Sequence, residues 1–207
     1  MREEKRALPL RITVALAMLT AVSIVCGKYL AVNIGSVIRI SFENMPIIFA
    51  GAAFGPVSGI LVGAVADLVG CVMVGYGINP VVTVGAAAIG LISGIMPRIL
   101  SRLPMTVRLA LTVATAHIIG SVLIKTFGLA AYYDMPLGIL MLWRLLNYLL
   151  VGGCELLILT LLFRSKMLSS QLASLGIRHK NATRGGSNAK KSNDTVTLDG
   201  KKKDDLR

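Results

Sequence analysis

Charge is what this chain has least of. Only 15% of its 207 residues are Asp, Glu, Lys or Arg, against roughly 25% in a soluble domain. The shortage is also uneven. Of 22 Lys and Arg, 11 lie from Arg164 onward and 3 in the first six residues, which leaves 8 basic groups across Ala7 to Phe163. That stretch holds 4 acids: Glu43, Asp67, Asp134 and Glu155. So few charges exclude the solvated surface of a globular domain. Aromatics are scarce too, at 5% with Trp143 the single Trp. No basic run is interleaved with rings that would stack bases, so the net charge of +12 does not point to nucleic acid. The three cysteines, Cys26, Cys71 and Cys154, sit singly in apolar runs. That excludes a CxxC metal or disulfide framework and leaves them as small apolar side chains. One histidine, His117, lies in the apolar part. With no HExxH, no nucleophile elbow, no paired carboxylates at helical spacing and no P-loop, the chain is expected to be no enzyme, to hold no metal or cofactor, and to hydrolyse no ATP itself.

What the chain does have is length of apolar sequence. A spanning helix needs about 20 mostly apolar residues. The pattern predicts helices over about Leu10 to Ala31, Pro46 to Phe54, Val57 to Val74, Val81 to Leu100, Val107 to Ala131 and Leu137 to Phe163. The opening MREEKR and its apolar run resemble a signal peptide. The run is long and equally apolar segments follow, so it reads as a retained first helix. The second helix is too short to span alone and reads as half of a re-entrant pair or a place of thinned membrane. The expected fold is an all-α membrane protein, a compact bundle of six transmembrane helices. Its division is a cytoplasmic N-terminus (1–9), a six-helix substrate-binding domain (10–163) and a basic, largely disordered tail (164–207) too polar to bury a core. Basic residues gather before the first helix (Arg2, Lys5, Arg6, Arg11), between the fourth and fifth (Arg98, Arg102, Arg108) and after the last (Arg164, Lys166). With the short helix counted as a crossing, all three groups fall on one side, so both termini are cytoplasmic.

Small residues recur at helical spacing, in Gly51–Gly55, Gly59–Gly63 and Ala17–Ala21, where backbones can approach closely. Ionisable groups at membrane depth are the sharper signal, because burying them is costly. Asp67, His117, Lys125, Arg144 with Asn147 one turn on, and Glu155 all lie within apolar helices. Arg39, Glu43, Asn44 and Asn79 lie at the outer ends. Most of these fall in the outward half, as a pocket open to the outside requires. Plainer roles stand beside that one: Arg144 and Lys125 snorkelling to the interface, Asp67 bracing neighbouring helices, His117 as a satisfied interhelical partner, Glu43 and Asn44 capping the short helix, and Glu155 structural.

The runs ALAMLTAVSIVCGKYLAV, IRISFENMPIIFAGAAFGPVSGILVGAVADLVG, NPVVTVGAAAIGLISGI, IKTFGLAAYY and WRLLNYLL, in that order, resemble the S components of energy-coupling factor (ECF) vitamin transporters, most closely the folate family. The resemblance covers about residues 7 to 163 and is most specific from Ile38 to Gly70. It implies a substrate-binding subunit of a bacterial plasma membrane importer that captures folate from outside. It also implies partners, a membrane coupling subunit and two ATPases, which dock on the small face at Ala17 and Ala21. The loop from about Tyr29 to Ser41 is then a lid. Folate's pterin edge and glutamate carboxylates want amides, imidazole and cations, which directs attention to Asn79, His117, Arg144 and Asn147, with Arg39 at the mouth. An S component for another vitamin or small molecule is the nearest alternative. An ion-coupled transporter working alone, with Asp67 or Glu155 as proton site, is the next, though no internal repeat of that class is evident.

Overall fold

In the computed structural model, residues 10–34, 38–75, 77–133 and 137–165 are described. The expected N-terminal segment and the tail from residue 166 fall outside them. Helix α1 (Leu10–Ile24) runs on into a π-helical turn (Val25–Tyr29). The region expected as a lid holds two short antiparallel strands, β1 (Val32–Ile34) and β2 (Ile38–Ile40), paired Val32 to Ile40. Then come α2 (Asn44–Phe54), α3 (Pro56–Val74) and α4 (Pro80–Ile99). A long rod follows, built from α5 (Met105–Ala116), a π-helical run (His117–Lys125) and α6 (Thr126–Tyr133). The last helix is α7 (Leu137–Arg164). The six rods thus match the six expected helices, with ends shifted by a few residues. The small hairpin and the two π-helical stretches are what periodicity did not reveal.

Five rods are long and apolar enough to cross a membrane, and α2 is not among them. Eleven residues rise only about 16 Å. The structure resolves how so short a helix is accommodated. Asn44, Pro46, Ile47, Ile48, Phe49, Ala50, Gly51 and Ala53 are all buried, so α2 is covered on every side, as a helix apolar all round must be. It packs against α1, α3, α4 and α7, and its ends need not meet lipid. Gly55, at φ 103°, turns the chain from α2 into α3, a backbone conformation that a side chain would strain.

Helix α3 shows how lipid inverts the usual pattern. Its large residues Val57, Leu61, Val65, Leu68 and Val72 are exposed. Its small ones, Ser58, Gly59, Gly63, Ala66 and Gly70, face inward. Helix α4 answers with Gly85, Ala86, Gly90, Ser93 and Gly94. The two helices touch backbone to backbone: a Cβ on Gly59 would run into the Gly90 carbonyl, and one on Gly90 into the Gly59 carbonyl. In lipid, where apolar contact alone drives little association, such close approach is what holds helices together. The core of Ile47, Ile48, Ala50, Val62, Ile89, Val113 and Leu159 sits where α2, α3, α4, α5 and α7 meet.

Candidate functional site

One pocket opens beside the start of α2, toward the end of the bundle that carries the hairpin. Ser23, Ile24, Gly27 and Lys28 come from α1 and its π turn, Glu43 and Ile47 from the start of α2, Ala66 and Asp67 from α3, Ala86 from α4 and Lys125 from the long rod. Its interior has room for about 10 Å3, a single water, and it is open on one side. Ile24, Ile47, Ala66 and Ala86 make apolar walls; two ammonium groups and two carboxylates stand between them.

Each charge is placed by its neighbours. Lys125 ends the π-helical run and is buried, its side chain 4% exposed. Its Nζ donates to Glu43 Oε1 at 3.0 Å and to Asn44 Oδ1 at 3.4 Å. A lysine free to snorkel would point outward; this one is turned inward. Glu43 immediately precedes α2 but makes no side-chain capping bond there. Its side chain reaches across to Lys125 instead, passing so close to Gly27 that a Cβ on that glycine would stand 2.8 Å from Glu43 Cβ. Its backbone carbonyl accepts from Ser23 Oγ at 2.7 Å, which ties the exit of the hairpin to α1. Asp67 accepts from Thr83 Oγ at 2.7 Å, so it braces α3 to α4 while also lining the pocket. Lys28, on the first π turn, lies 3.8 Å from Cys71 Sγ and folds over Gly70. A buried donor, Asn44 Nδ2, has no hydrogen-bond partner among the described residues. Both lysines come from π-helical stretches, which occur often at functional sites.

The residues singled out in the sequence have other positions. Asn79 caps α4, its Oδ1 accepting from Val81 N at 3.1 Å and its Nδ2 donating to the Gly128 carbonyl at 3.0 Å. His117 is buried, 2.6 Å from Glu155 and stacked on Tyr148. Arg144 donates to the Ser121 carbonyl at 3.3 Å, and Asn147 is half-buried one turn on. None of these four lines the pocket. His117 and Arg144 are brought together at the contact of α7 with the long rod, and Asn79 stands apart from them. Arg39 lies in β2, paired with Asn33; its side chain is outside the described residues. Ala17 and Ala21 are exposed on α1. The pocket charges Glu43, Asp67 and Lys125 were visible in the sequence as ionisable groups at depth. Lys28, near the end of the first predicted helix, was not singled out. What would have joined them is the pair of π stretches, for which the sequence carries no periodic signal.

A polar pocket within a bundle of apolar rods, five of them long enough to cross a membrane, is the build of a multi-pass membrane protein. A family model for the S component of the ECF-type riboflavin transporter matches residues 8–166. The chain belongs to that family, the substrate-binding membrane subunits that work with an energy-coupling module, and is not an enzyme. The fold is also that of solved S components. A crystal structure of FolT bound with folic acid matches with a TM-score of 0.61 at 22% identity, over 72% of this chain and 90% of that one. The S component of a bacterial ECF transporter matches with a TM-score of 0.58 at 21% identity, over 81% and 98%. No curated protein matches in sequence.

Proposed function

We propose that this S component captures folate from outside a bacterial plasma membrane and delivers it to a module of one coupling subunit and two ATPases. The observation that carries the reading is the pocket's charge pattern. Lys28 and Lys125 suit the glutamate carboxylates of folate, and Asp67, Glu43 and Asn44 suit the amino group and ring amides of a pterin. The FolT neighbour that holds folic acid supports the same substrate. Arg39, on the hairpin, is placed by this reading at the mouth. The pocket as it stands has room for only about 10 Å3, space for a single water and far below the roughly 300–1,000 Å3 of pockets that hold drug-sized ligands. Capture therefore requires the hairpin and Glu43 to move outward and Lys125 to exchange Glu43 for the ligand's carboxylate.

Docking of the coupling subunit falls to the outer face of α1. There Ala17 and Ala21 lie among exposed Val14, Met18 and Val25, and small residues at that spacing let a partner helix approach closely.

Riboflavin is the competing substrate, favoured by the family description. It lacks carboxylates, so its ring carbonyls and hydroxyls can accept from the two lysines but cannot pair their charges. The deciding experiment is calorimetric titration of the purified chain with folic acid and with riboflavin in parallel. Saturable heat with folic acid alone supports folate. Heat with riboflavin alone replaces the substrate and leaves the subunit's role intact. Heat with neither removes both vitamins.

A further inference from the structure

Lys125 reaches the pocket from the end of nine π-helical residues, His117–Lys125. Such a run is rare, since the π form usually appears as a single turn within an α-helix. Something outside the rod has to hold it, and α7 does so at three points. At its first residue, His117 Nε2 and Glu155 Oε2 share a 2.6 Å hydrogen bond, with Glu155 fully buried. The Tyr148 ring stacks on His117 with centroids 4.9 Å apart. At its middle, the Ser121 carbonyl accepts from Arg144 Nη1 at 3.3 Å, and from Thr126 Oγ1 at 3.2 Å. Ser121 Oγ lies 3.5 Å from His117 Nδ1, which links the two points.

The register of this run decides where Lys125 points. Removing one residue from its winding turns everything beyond it by roughly 100° and shifts it about 1.5 Å. That would carry Lys125 Nζ away from Glu43 and Asn44. Neither Glu155 nor Arg144 lines the pocket, yet both grip the run that delivers its buried cation.

We infer that Glu155 and Arg144 of α7, acting through His117 and the Ser121 carbonyl, are positioning residues that fix the π register and so aim Lys125 into the pocket. The consequence for binding rests on the reading of Lys125 as a substrate contact; the consequence for Lys125's position does not.

The test uses the full chain without ligand, in detergent. Its lysines are acetylated with an amine reagent, and rates at Lys125 and Lys28 are read by peptide mass spectrometry. Lys28 shares the pocket but sits on the other π turn, so it reports general loosening. In Glu155→Leu, and separately in the milder Arg144→Met, Lys125 should acetylate roughly tenfold faster relative to Lys28, the scale of a lost charge-assisted hydrogen bond. Glu155→Gln, which keeps a hydrogen-bonding partner for His117, should hold the ratio near that of the unaltered chain. An unchanged ratio in both Leu and Met variants would overturn the inference, as would equal acceleration of both lysines. A second readout is a double-mutant cycle in folic acid or riboflavin affinity, whichever binds. If Glu155 acts through Lys125, Glu155→Leu adds little to the loss already caused by Lys125→Met; additive losses overturn the positioning role. Intact binding in Lys125→Met alone would instead sink the substrate-contact reading, and the acetylation result would stand by itself.

Discussion

Lys125 and Glu43, 82 positions apart in the chain, meet at 3.0 Å across the floor of the pocket. Glu43 follows the hairpin and Lys125 ends the π-helical run, so the pair latches the start of α2 to the long rod. Removing the cation takes away both the latch and the proposed carboxylate partner. Lys125→Met keeps most of the apolar stem and should weaken substrate binding about 10- to 100-fold, or about 1.4–2.8 kcal/mol, in calorimetry. Affinity equal to that of the unaltered chain would show that the substrate does not use this group.

Asp67 stands at membrane depth with Thr83 Oγ as its hydrogen-bond donor at 2.7 Å. A carboxylate there is costly without such a donor. Thr83→Val preserves shape and removes the hydroxyl. The expected loss is about 0.5–1.5 kcal/mol of stability, the net worth of one hydrogen bond at a half-buried site, seen as a lower unfolding temperature in detergent. Saturating substrate should recover part of that loss, because a bound ligand donor replaces the hydroxyl. A loss that substrate leaves untouched would take Asp67 out of the binding set.

The crossing of α3 and α4 has no room for a methyl group at its centre. A Cβ on Gly90 would meet the Gly59 carbonyl carbon and oxygen, which are backbone atoms and cannot rotate aside. Gly90→Ala should therefore force the helices apart and cost about 1–3 kcal/mol, as overpacking of a close core does. Gly153, on α7, has open space around its Cβ position, and Gly153→Ala serves as the control that should unfold like the unaltered chain. Equal behaviour of the two alanine variants would contradict the close contact.

Much of the fold was legible because the membrane imposes one simple requirement, long apolar helices, and the described residues meet it five times over. Gly55-Pro56 and Asn79-Pro80 are breaks whose chemistry is local, so the ends of α2, α3 and α4 lay within two residues of expectation. The site was legible in kind but not in membership. Which polar group meets which depends on helix rotation, and the two π stretches alter that rotation without leaving a periodic trace. Asn79 and Arg144 look like ligand groups in sequence, yet each gives its hydrogen bonds to a backbone carbonyl of the long rod. Lys28 draws no notice near the end of the first apolar run, yet its side chain lies over Gly70.

On the proposed docking of the coupling subunit at Ala17 and Ala21, capture and delivery use opposite faces of α1. Leu16, Ser23 and Ile24 turn inward, whereas Ala17 and Ala21 face out and touch no part of the pocket. Bulk added there meets lipid in the isolated subunit, so Ala17→Trp and Ala21→Trp should leave calorimetric affinity and unfolding temperature unchanged. A partner helix has to come within the distance that only small residues allow, and an indole on that face holds it off. Uptake of labelled folate or riboflavin into cells carrying the whole transporter should then fall to background in both variants, and co-purification of the coupling subunit should fall with it. Loss of binding in the isolated variants would mean that this face supports the pocket. Uptake at the normal rate would place docking elsewhere on the bundle. Binding kept and uptake lost is the pattern expected if one face of α1 builds the site and the other meets the machinery that empties it.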